Sequence, residues 1–405
     1  MVIRLKFQHN YRLFKKRKEY ETKMEQNALK WCKKYKNLSL RDKELLTRSI
    51  KCLEDNIVAS NNKIFKNRKA IVPSKNTYQG VWNWDSAFIA LAVSRYDYDL
   101  ALNQIDFFFE KQDKRGMFPD AILLNNKVYD LTSKPPIFPS VLMVMNKRKK
   151  LPNLEYYYQK LVLNEQFWCK YRKAGELFHY DAFTLNKYYY RDCKNESGWD
   201  TSVRWDNGAE CLWAVDLNCY MVDFYNSLIY FAKQLNLKED IKVWQTKRRN
   251  LIKNIELNLW DNDMQFYCDY DFDKNCSTKI LSPAGFMPLT IKIASKEHAE
   301  KCYLIAKDEK YFYPLMPTVS YDNNSYSSSD YWRGPSWINT FYYAILGLKN
   351  YNYLDLAEKY KNNMLDMCFN EKSGIYEYYD SKTGKGLGAK QFSWSSAFII
   401  EAILS

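Results

Sequence analysis

Helical periodicity is the feature that most restricts how this chain can fold. In residues 210–234, seven apolar side chains fall at i, i+4, i+7, i+8, i+11, i+15 and i+18, which is one broad face of a helix: Trp213, Leu217, Tyr220, Met221, Phe224, Leu228 and Phe231. Comparable patterns predict helices near 20–36, 41–58, 83–95, 97–111, 137–148, 154–172, 238–259, 284–294, 297–307, 336–348, 353–368 and 393–404. Strand alternation is scarce, and only 265–270 and 374–379 are predicted to be short extended pieces.

The way these helices follow one another predicts a single, closed all-α domain. No long Gly-, Ser- or Pro-rich linker and no low-complexity tract interrupts the chain. We expect residues 1–60 to form an N-terminal helical segment that is part of the same body as residues 61–405. An α-solenoid would show self-similar repeats of roughly 33 to 47 residues. Because none is visible, the pattern favours a closed helical toroid.

The charge balance is basic, with 61 Lys and Arg against 47 Asp and Glu. Such a surplus can attract nucleic acid, a membrane surface or an anionic substrate. Most of the lysines are scattered, however, and no nucleic-acid-binding motif accompanies them, so no specific nucleic-acid partner is expected. The densest run, Arg12 to Lys18, predicts a basic arm that could touch a membrane surface. No stretch approaches the 18 apolar residues of a spanning helix.

Cysteine and histidine usage gives no sign of a metal centre. The ten cysteines form no CxxC pair, and the three histidines lie at no zinc-binding spacing from a cysteine pair. The pattern is typical of reduced thiols in a cytoplasmic protein, and the N-terminus lacks the apolar core of a signal peptide. We therefore predict no metal and no cofactor. No pattern in the sequence predicts an oligomeric state.

The chemically distinctive residues lie between the predicted helices. Seven connections combine indoles, carboxylates, arginine and glycine: YQGVWNWDSAF (78–88), RGMFPD (115–120), SKPP (133–136), ESGWD (196–200), YWRGPSW (331–337), YEYYD (376–380) and FSW (392–394). Carboxylates beside indoles lose hydration unless something pairs with them. A shared pocket would explain several of these loops at once, and the aromatic content of 17% suits a polar ligand with flat faces, such as a sugar or a base.

Carboxylate chemistry is the class that the remaining residue types allow. The sequence has no GxSxG, HExxH, GxxxxGK[ST] or strand-linked GxGxxG motif. Hydrolysis of a glycosidic bond needs two carboxyl groups in different environments. Asp200, beside Trp199, could keep its proton near neutral pH if apolar rings and a neighbouring anion raise its pKa, whereas Glu377, among tyrosines, could stay ionised by accepting hydrogen bonds. Each could equally be a helix-capping or surface acid.

Taken together and in order, these motifs resemble glycoside hydrolase family 63 and its trehalase relatives. The likeness runs from about Pro73 to Leu404, and it is strongest to the short bacterial members that include mannosylglycerate and glucosylglycerate hydrolases. The resemblance implies an (α/α)6 barrel, a six-hairpin toroid with functional loops at one end. It also implies an inverting glycosidase that cleaves an α-linked glucoside or mannoside without a cofactor.

The resemblance also implies a role for individual residues. Asp200 matches the general acid and Glu377 the general base, with Gly198 and Trp199 positioning the acid. The matching substrate-binding residues are Tyr78, Trp84, Asp85, Lys134, Trp332, Arg333, Gly334 and Trp394. The alternative for the tryptophans is helix-packing core. Glu196 and Asp206 are expected to be local structural acids, with Arg204 an available partner.

One position departs from the family pattern. Where these enzymes usually read Gln-Pro-Pro, this chain has Lys134-Pro135-Pro136. A lysine brings a point charge and lacks the acceptor of the amide, so the bound sugar could differ, or an anionic aglycone such as glycerate could lie nearby. The same change leaves open an altered or inactive protein that only binds a glycan on this fold.

Overall fold

The computed structural model describes residues 31–181, 193–206 and 211–405. The basic run Arg12 to Lys18 and most of the predicted helix 20–36 lie outside these residues. In the described part of the chain, no helix is both long and apolar enough to cross a bilayer.

Thirteen α-helices make up about half of the described structure, and most of their bounds follow the predicted periodicity closely. They are α1 Leu40–Asp55, α2 Asn83–Val93, α3 Tyr98–Phe109, α4 Phe138–Arg148, α5 Leu154–Tyr171, α6 Cys193–Ser197, α7 Val215–Gln234, α8 Lys238–Asn258, α9 Met287–Thr290, α10 Lys296–Ala306, α11 Ile338–Asn350, α12 Leu354–Asn370 and α13 Ser393–Leu404. Several begin at a side chain that accepts a hydrogen bond from the first turn, as Ser39, Asp97, Asn153 and Ser295 do.

Two predicted helices differ in extent from the structure. The helix expected at 284–294 is reduced to α9, because a 3₁₀ turn, Pro283–Phe286, precedes it and Lys292 adopts a φ of 60° just after it. Trp213, predicted to start the apolar face of 210–234, lies before α7. Its backbone pairs instead with Tyr270, with N···O distances of 2.9 and 3.1 Å.

Six of the helices contact one another in a sequence that closes on itself. We call α2, α4, α7, α9, α11 and α13 the ring helices: each contacts the next, and α13 contacts α2. A second helix packs on several of them, as α3 does on α2, α8 on α7, α12 on α11 and α1 on α13. The burial patterns match: α2 is buried on every side except at Leu91 and α13 except at Leu404, whereas α8 buries only Trp244, Leu251 and Ile255.

Short antiparallel strands add to the expected all-α fold. They are β1 Ile57–Ala59, β2 Lys69–Ile71, β3 Gly80–Trp82, β4 Ala121–Leu123, β5 Val128–Tyr129, β6 Lys173–Ala174, β7 Leu177–Phe178, β8 Trp260–Asp261, β9 Phe266–Tyr267, β10 Tyr270–Asp271, β11 Cys276–Ser277, β12 Tyr376–Tyr379 and β13 Gly386–Lys390. Strands β3, β4 and β5 form one sheet, in which Trp82 pairs with Ala121, and β12 pairs with β13. The two extended pieces predicted at 265–270 and 374–379 are confirmed by β9, β10 and β12.

Candidate active site

The motif-bearing connections meet around one cavity of about 140 Å³. Most of the predicted site residues line it: Tyr78, Trp84, Asp85, Lys134, Gly198, Asp200, Trp332, Glu377 and Trp394. The wall is completed by Trp82, Asp120, Asn195, Tyr331, Trp337 and Phe392. Residues that are distant in sequence thus share a single site, as the contact between Tyr78 and Glu377, 299 positions apart, shows.

Three ring helices begin at this cavity. Trp82, Trp337 and Phe392 are the N-cap residues of α2, α11 and α13, and all three side chains line the wall. Each N-cap has an extended backbone without a side-chain cap. The N-terminal end of a helix carries a partial positive charge and unpaired N–H groups. Several helix ends of this sign at one cavity favour the carboxylates that gather there.

Glu377 lies in the middle of β12, with its side chain 5% exposed. The Tyr78 and Tyr331 hydroxyls donate to its Oε1 at 3.0 and 3.4 Å, and the Ala389 N–H donates to Oε2 at 2.9 Å. Burial raises the pKa of Glu377, and the three hydrogen bonds oppose that shift. The predicted hydrogen bonds to the carboxylate are therefore present, but desolvation outweighs them and makes this group a stronger base than an exposed glutamate.

Asp85 is a second buried carboxyl in the same cavity, on the first turn of α2. Burial, followed by the charge of Glu377, raises the pKa of Asp85 from its ordinary 3.8 to about 8. Asp120 adds to the shift, while the charge of Lys134 opposes it. At neutral pH the Asp85 and Glu377 pair therefore holds a proton, and Asp85 can donate a hydrogen bond as a neutral acid.

This raised pKa makes stability depend on pH in a defined direction. Between the ordinary pKa of 3.8 and the folded value of about 8, the native protein binds more protons at Asp85 than the unfolded chain does. The free energy of unfolding should therefore fall as pH rises through this window, by at most about 1.4 kcal/mol per pH unit from this group. The Asp85→Asn variant should lose less stability than the wild type between about pH 5 and about pH 8.

Urea unfolding at a series of pH values measures this difference. The control is Asp99→Asn, because Asp99 is 90% exposed and its substitution should leave the pH profile of the wild type unchanged. Parallel stability profiles for Asp85→Asn and the wild type would show that Asp85 is not protonated in the folded protein.

The predicted acid, Asp200, lies at the rim of the cavity and is exposed. The sequence suggested that apolar rings could enclose Asp200, but this residue is exposed, whereas the neighbouring Trp199 is buried, at 3% exposure. Gly198 is where the chain comes closest to the wall: its φ is 76°, and an added Cβ would lie 2.3 Å from the Trp84 ring. Glycine at this position therefore brings the backbone that carries Asp200 directly against an indole of the cavity.

A continuous stack of aromatic rings connects residues 193–206, which we call the acid segment, with strand β12, which carries Glu377. Trp199 stacks on Trp332 at 4.9 Å between ring centroids, Trp332 on Trp337 at 3.8 Å, and Trp337 on Tyr378 at 4.9 Å. The first ring is adjacent in sequence to Asp200 and the last to Glu377. Backbone hydrogen bonds between Ser336 and Tyr379, at 2.8 and 3.0 Å, stabilise the end of the stack that lies next to Glu377. The stack fixes the relative position of the two carboxyl-bearing segments.

Two buried ion-pair systems hold the segment around Asp200, and they correct the expected partner of Glu196. Arg172 binds Glu196 through Nε and Nη2 at 2.6 and 2.8 Å, and neither side chain is exposed. Arg204, expected to pair with Glu196 or Asp206, instead binds Asp216 and Asp269. The sequence could not show these pairings because they join residues 12 to 65 positions apart. Glu196 is nonetheless the structural acid that was expected.

Three predicted site residues lie behind the cavity wall. Trp199 packs on Trp332, as described above. Arg333 donates to the Thr201 carbonyl and to Asp206 Oδ1, both at 3.1 Å, so it ties its own loop to the acid segment. Gly334 is packed against a different connection, because an added Cβ would lie 2.3 Å from the Ser327 carbonyl oxygen. These three residues support the wall in this structure.

Lys134 lines the cavity, and its charge is already engaged there. Its Nζ donates to the Asn195 carbonyl and to Asn195 Oδ1, the latter at 2.6 Å, and lies 3.5 Å from Asp120 Oδ1. Lys134 is 6% exposed. The lysine therefore joins the connection before α4 to helix α6 and offsets part of the negative charge of the cavity.

Sequence reasoning singled out the right connections but missed several residues in them. Trp82, Asp120, Tyr331, Trp337 and Phe392 all fall inside motifs or at their edges, and Asn195 directly precedes ESGWD. Their places inside or next to the motifs could have identified them as further residues of the cavity wall. Tyr331 adopts a φ of 31°, and no sequence pattern predicts this backbone conformation.

Comparison with known proteins identifies the family. A model of the mannosylglycerate hydrolase MGH1-like glycoside hydrolase domain matches residues 78–395. The mannosylglycerate hydrolase of Rubrobacter radiotolerans is 24% identical, over 82% of this chain and 92% of its own length. A mannosylglycerate hydrolase of Thermus thermophilus is 25% identical, over 81% of this chain and 95% of its own length.

Solved structures share the fold. A GH63 mannosylglycerate hydrolase from Thermus thermophilus, in complex with Tris and D-glycerate, superposes with a TM-score of 0.76 at 22% identity, covering 88% of this chain and 99% of that one. The neutral trehalase of Saccharomyces cerevisiae gives a TM-score of 0.70 at 19% identity, over 83% and 73%. The predicted resemblance to family 63 is confirmed. The chain belongs to the mannosylglycerate hydrolase MGH1-like glycoside hydrolase family, and it is a glycosidase.

Proposed function

We propose that this glycosidase hydrolyses an α-linked glucoside or mannoside with inversion at the anomeric carbon. Asp200 is the general acid and Glu377 the general base. The observation that carries the proposal is that these two carboxyl groups line the same indole-walled cavity from different connections. Inversion requires a pair of carboxyl groups with room for a water molecule between one of them and the sugar.

The walls of the cavity suit a sugar ring. Trp84, Trp332 and Trp394 offer flat apolar faces, on which the C–H face of a pyranose can pack. The Nε1 atoms of Trp332 and Trp394 are buried and have no hydrogen-bond acceptor among the described residues. A buried indole N–H normally has a partner, and a ligand hydroxyl would supply one. The small volume also favours one sugar unit over a long chain.

The proposed reaction assigns each proton to a named group. Asp200 donates its proton to the bridging oxygen as the glycosidic bond breaks. Glu377 accepts a proton from the water that attacks the anomeric carbon, while Tyr78 and Ala389 hold the carboxylate in place. Because Asp200 is exposed in this structure, we infer that the bound aglycone covers it and raises its pKa by excluding water. Asp85, neutral at pH 7, would donate to a sugar hydroxyl.

We also infer that the ring helices and the helices packed on them form one (α/α)6 barrel. The closed order of contacts among the ring helices supports this architecture. The contact of α1 with α13 supports placing the described part of the N-terminal segment in the same body. The functional loops would then lie at the end of the barrel where α2, α11 and α13 begin.

The aglycone that we propose is a small acid such as glycerate, as in the names of the two bacterial relatives. The cavity is lined by four carboxyl groups and one lysine, so an anionic group would avoid its interior. Lys194 lies within the acid segment and Arg333 beside it, and both contact Asp206, with N···O distances of 3.6 Å for Lys194 and 3.1 Å for Arg333. These two cations lie outside the cavity lining, and we propose that they are the groups that an acidic aglycone would approach.

A hydrolysis screen tests the proposal. The purified chain is incubated with α-glucosides and α-mannosides that carry either a neutral or an acidic aglycone, and release of the free sugar is measured. We expect turnover of at least one α-glycoside and a lower KM for acidic aglycones. Binding of these compounds without turnover would favour the alternative, a glycan-binding protein on the same fold. Turnover of β-glycosides alone would contradict the α-linkage.

A further inference from the structure

A cluster of metal-binding side chains lies outside the cavity, next to the acid segment. His179, Asp181 and Cys211 each offer a ligand atom, and these atoms all lie within 4.8 Å of one another. All three residues are buried. Buried ionisable side chains are normally paired with one another or bound to a metal ion.

A fourth candidate ligand adjoins this group. The Sγ of Cys193 lies 3.4 Å from the Sγ of Cys211. In a tetrahedral zinc site with Zn–S and Zn–N bonds of about 2.3 and 2.0 Å, ligand atoms are separated by roughly 3.3 to 3.8 Å. Two thiolates bound to one tetrahedral zinc ion are about 3.8 Å apart, so the observed distance between the two thiols is within roughly 0.4 Å of the one that a shared ion requires. The ligand atoms of His179, Asp181 and Cys211 lie within 4.8 Å of one another, so they would need to move only a short distance towards a shared ion.

The histidine is oriented as a metal ligand would be. His179 Nδ1 lies 3.1 Å from the Tyr180 carbonyl oxygen. A carbonyl can only accept, so Nδ1 carries the hydrogen, and in the neutral ring Nε2 is left with a lone pair. Metal-binding histidines usually donate their other N–H to a carbonyl or carboxylate in this way. The tautomer that the fold selects is the one that can bind a metal.

The donor set indicates which metal would bind. Two thiols and an imidazole are soft or borderline ligands, which favour zinc over magnesium or calcium. Four protein ligands would fill a tetrahedral shell, so such a site has no open position for substrate or water. We propose that His179, Asp181, Cys193 and Cys211 bind one zinc ion, which fixes the position of the acid segment.

The location of the four residues explains what the ion would do. His179 and Asp181 follow β7, Cys193 is the first residue of α6, and Cys211 follows the acid segment in sequence. Asn195 of α6 binds Lys134 in the cavity wall, and Gly198 packs against Trp84. An ion bound at both ends of this segment would hold Asp200 at the rim without touching the substrate.

Metal analysis of the full chain tests the site. After incubation with zinc and removal of excess metal by gel filtration, the wild type should retain about one zinc per chain by mass spectrometry. Cys193→Ser and Cys211→Ser should each reduce the retained zinc by about tenfold or more, because a thiolate ligand is lost. Cys276→Ser is the matched control, since Cys276 is exposed and lies elsewhere, and it should retain zinc as the wild type does. A wild type that retains no zinc would overturn the proposal.

A second measurement avoids variants that fail to fold. The zinc-loaded and chelator-treated wild type are alkylated with iodoacetamide under reducing conditions, and each cysteine is quantified by peptide mass spectrometry. Zinc should slow the alkylation of Cys193 and Cys211 but not of Cys276. Equal rates with and without zinc would contradict the site. Neither readout depends on glycosidase activity, so the outcome is separate from the proposed function.

Discussion

Replacing Glu377 by glutamine is expected to lower kcat by about 10² to 10⁴. The amide cannot accept a proton from the attacking water. It can still accept from Tyr78 through its oxygen, but its NH2 group would then face the Ala389 N–H, so one of the hydrogen bonds to the carboxylate is lost. The expected loss of stability from this change is only about 1 to 3 kcal/mol. A loss of turnover in a folded variant therefore reports on the chemistry.

The roles of Glu377 and Asp200 can be separated by the choice of leaving group. Asp200→Asn should strongly reduce hydrolysis of an ordinary α-glycoside, but it should affect an activated aryl α-glycoside much less, because a phenolate of low pKa leaves without a proton. Glu377→Gln should reduce both substrates alike, since water must be activated in either case. Initial rates with the two substrates measure the difference. Glu176→Gln, at an exposed site, is the control, and wild-type turnover in Glu377→Gln would exclude the assignment.

Replacing Arg204 by methionine is expected to lower the free energy of unfolding by about 3 to 5 kcal/mol. Arg204 is fully buried and binds two carboxylates: its Nε donates to Asp269 at 2.6 Å and its Nη2 to Asp216 at 2.8 Å. Its guanidinium also lies 4.9 Å from the ring centroids of Trp199 and Trp205. Without it, two buried carboxylates lose their counter-charge. The acid segment should therefore lose both stability and a fixed position.

Urea unfolding and kcat, measured on the same preparations, test this expectation. Arg249→Met is the control, because Arg249 is exposed, and it should change stability by less than about 0.5 kcal/mol. Adding Asp216→Asn and Asp269→Asn to Arg204→Met should recover part of the lost stability, since neutral side chains need no counter-charge. An Arg204→Met variant as stable as the wild type would show that this pairing contributes little.

The helices could be predicted from the sequence because their signal is local. An apolar face at a period of 3.6 residues identified α2, α4 and α13 to within two residues at each end. The short strands gave almost no signal in the sequence, since a strand such as β6 or β8 has only two residues. Their pairing depends on the turn between them and on the helices that they contact.

The site was predictable to the extent that its residues lie in unusual motifs. Trp84 stood out because an indole is adjacent to a carboxylate there, and Glu377 stood out because it lies among tyrosines. The sequence could not show that Arg172 pairs with Glu196, that Asp120 reaches Lys134, or that Asp200 is exposed. Each of these facts depends on which connections the closed set of ring helices brings together, and that is a property of the tertiary structure.

The stereochemistry of the product tests the central proposal most directly. Proton NMR during the first minutes of hydrolysis of an α-glycoside shows which anomer of the free sugar forms before mutarotation. If Asp200 and Glu377 act as acid and base on opposite faces of the sugar, the β-anomer should appear first, and the α-anomer should grow in only as mutarotation proceeds. An α-anomer as the first product would mean retention of configuration and would contradict the roles that we propose for the two carboxyl groups.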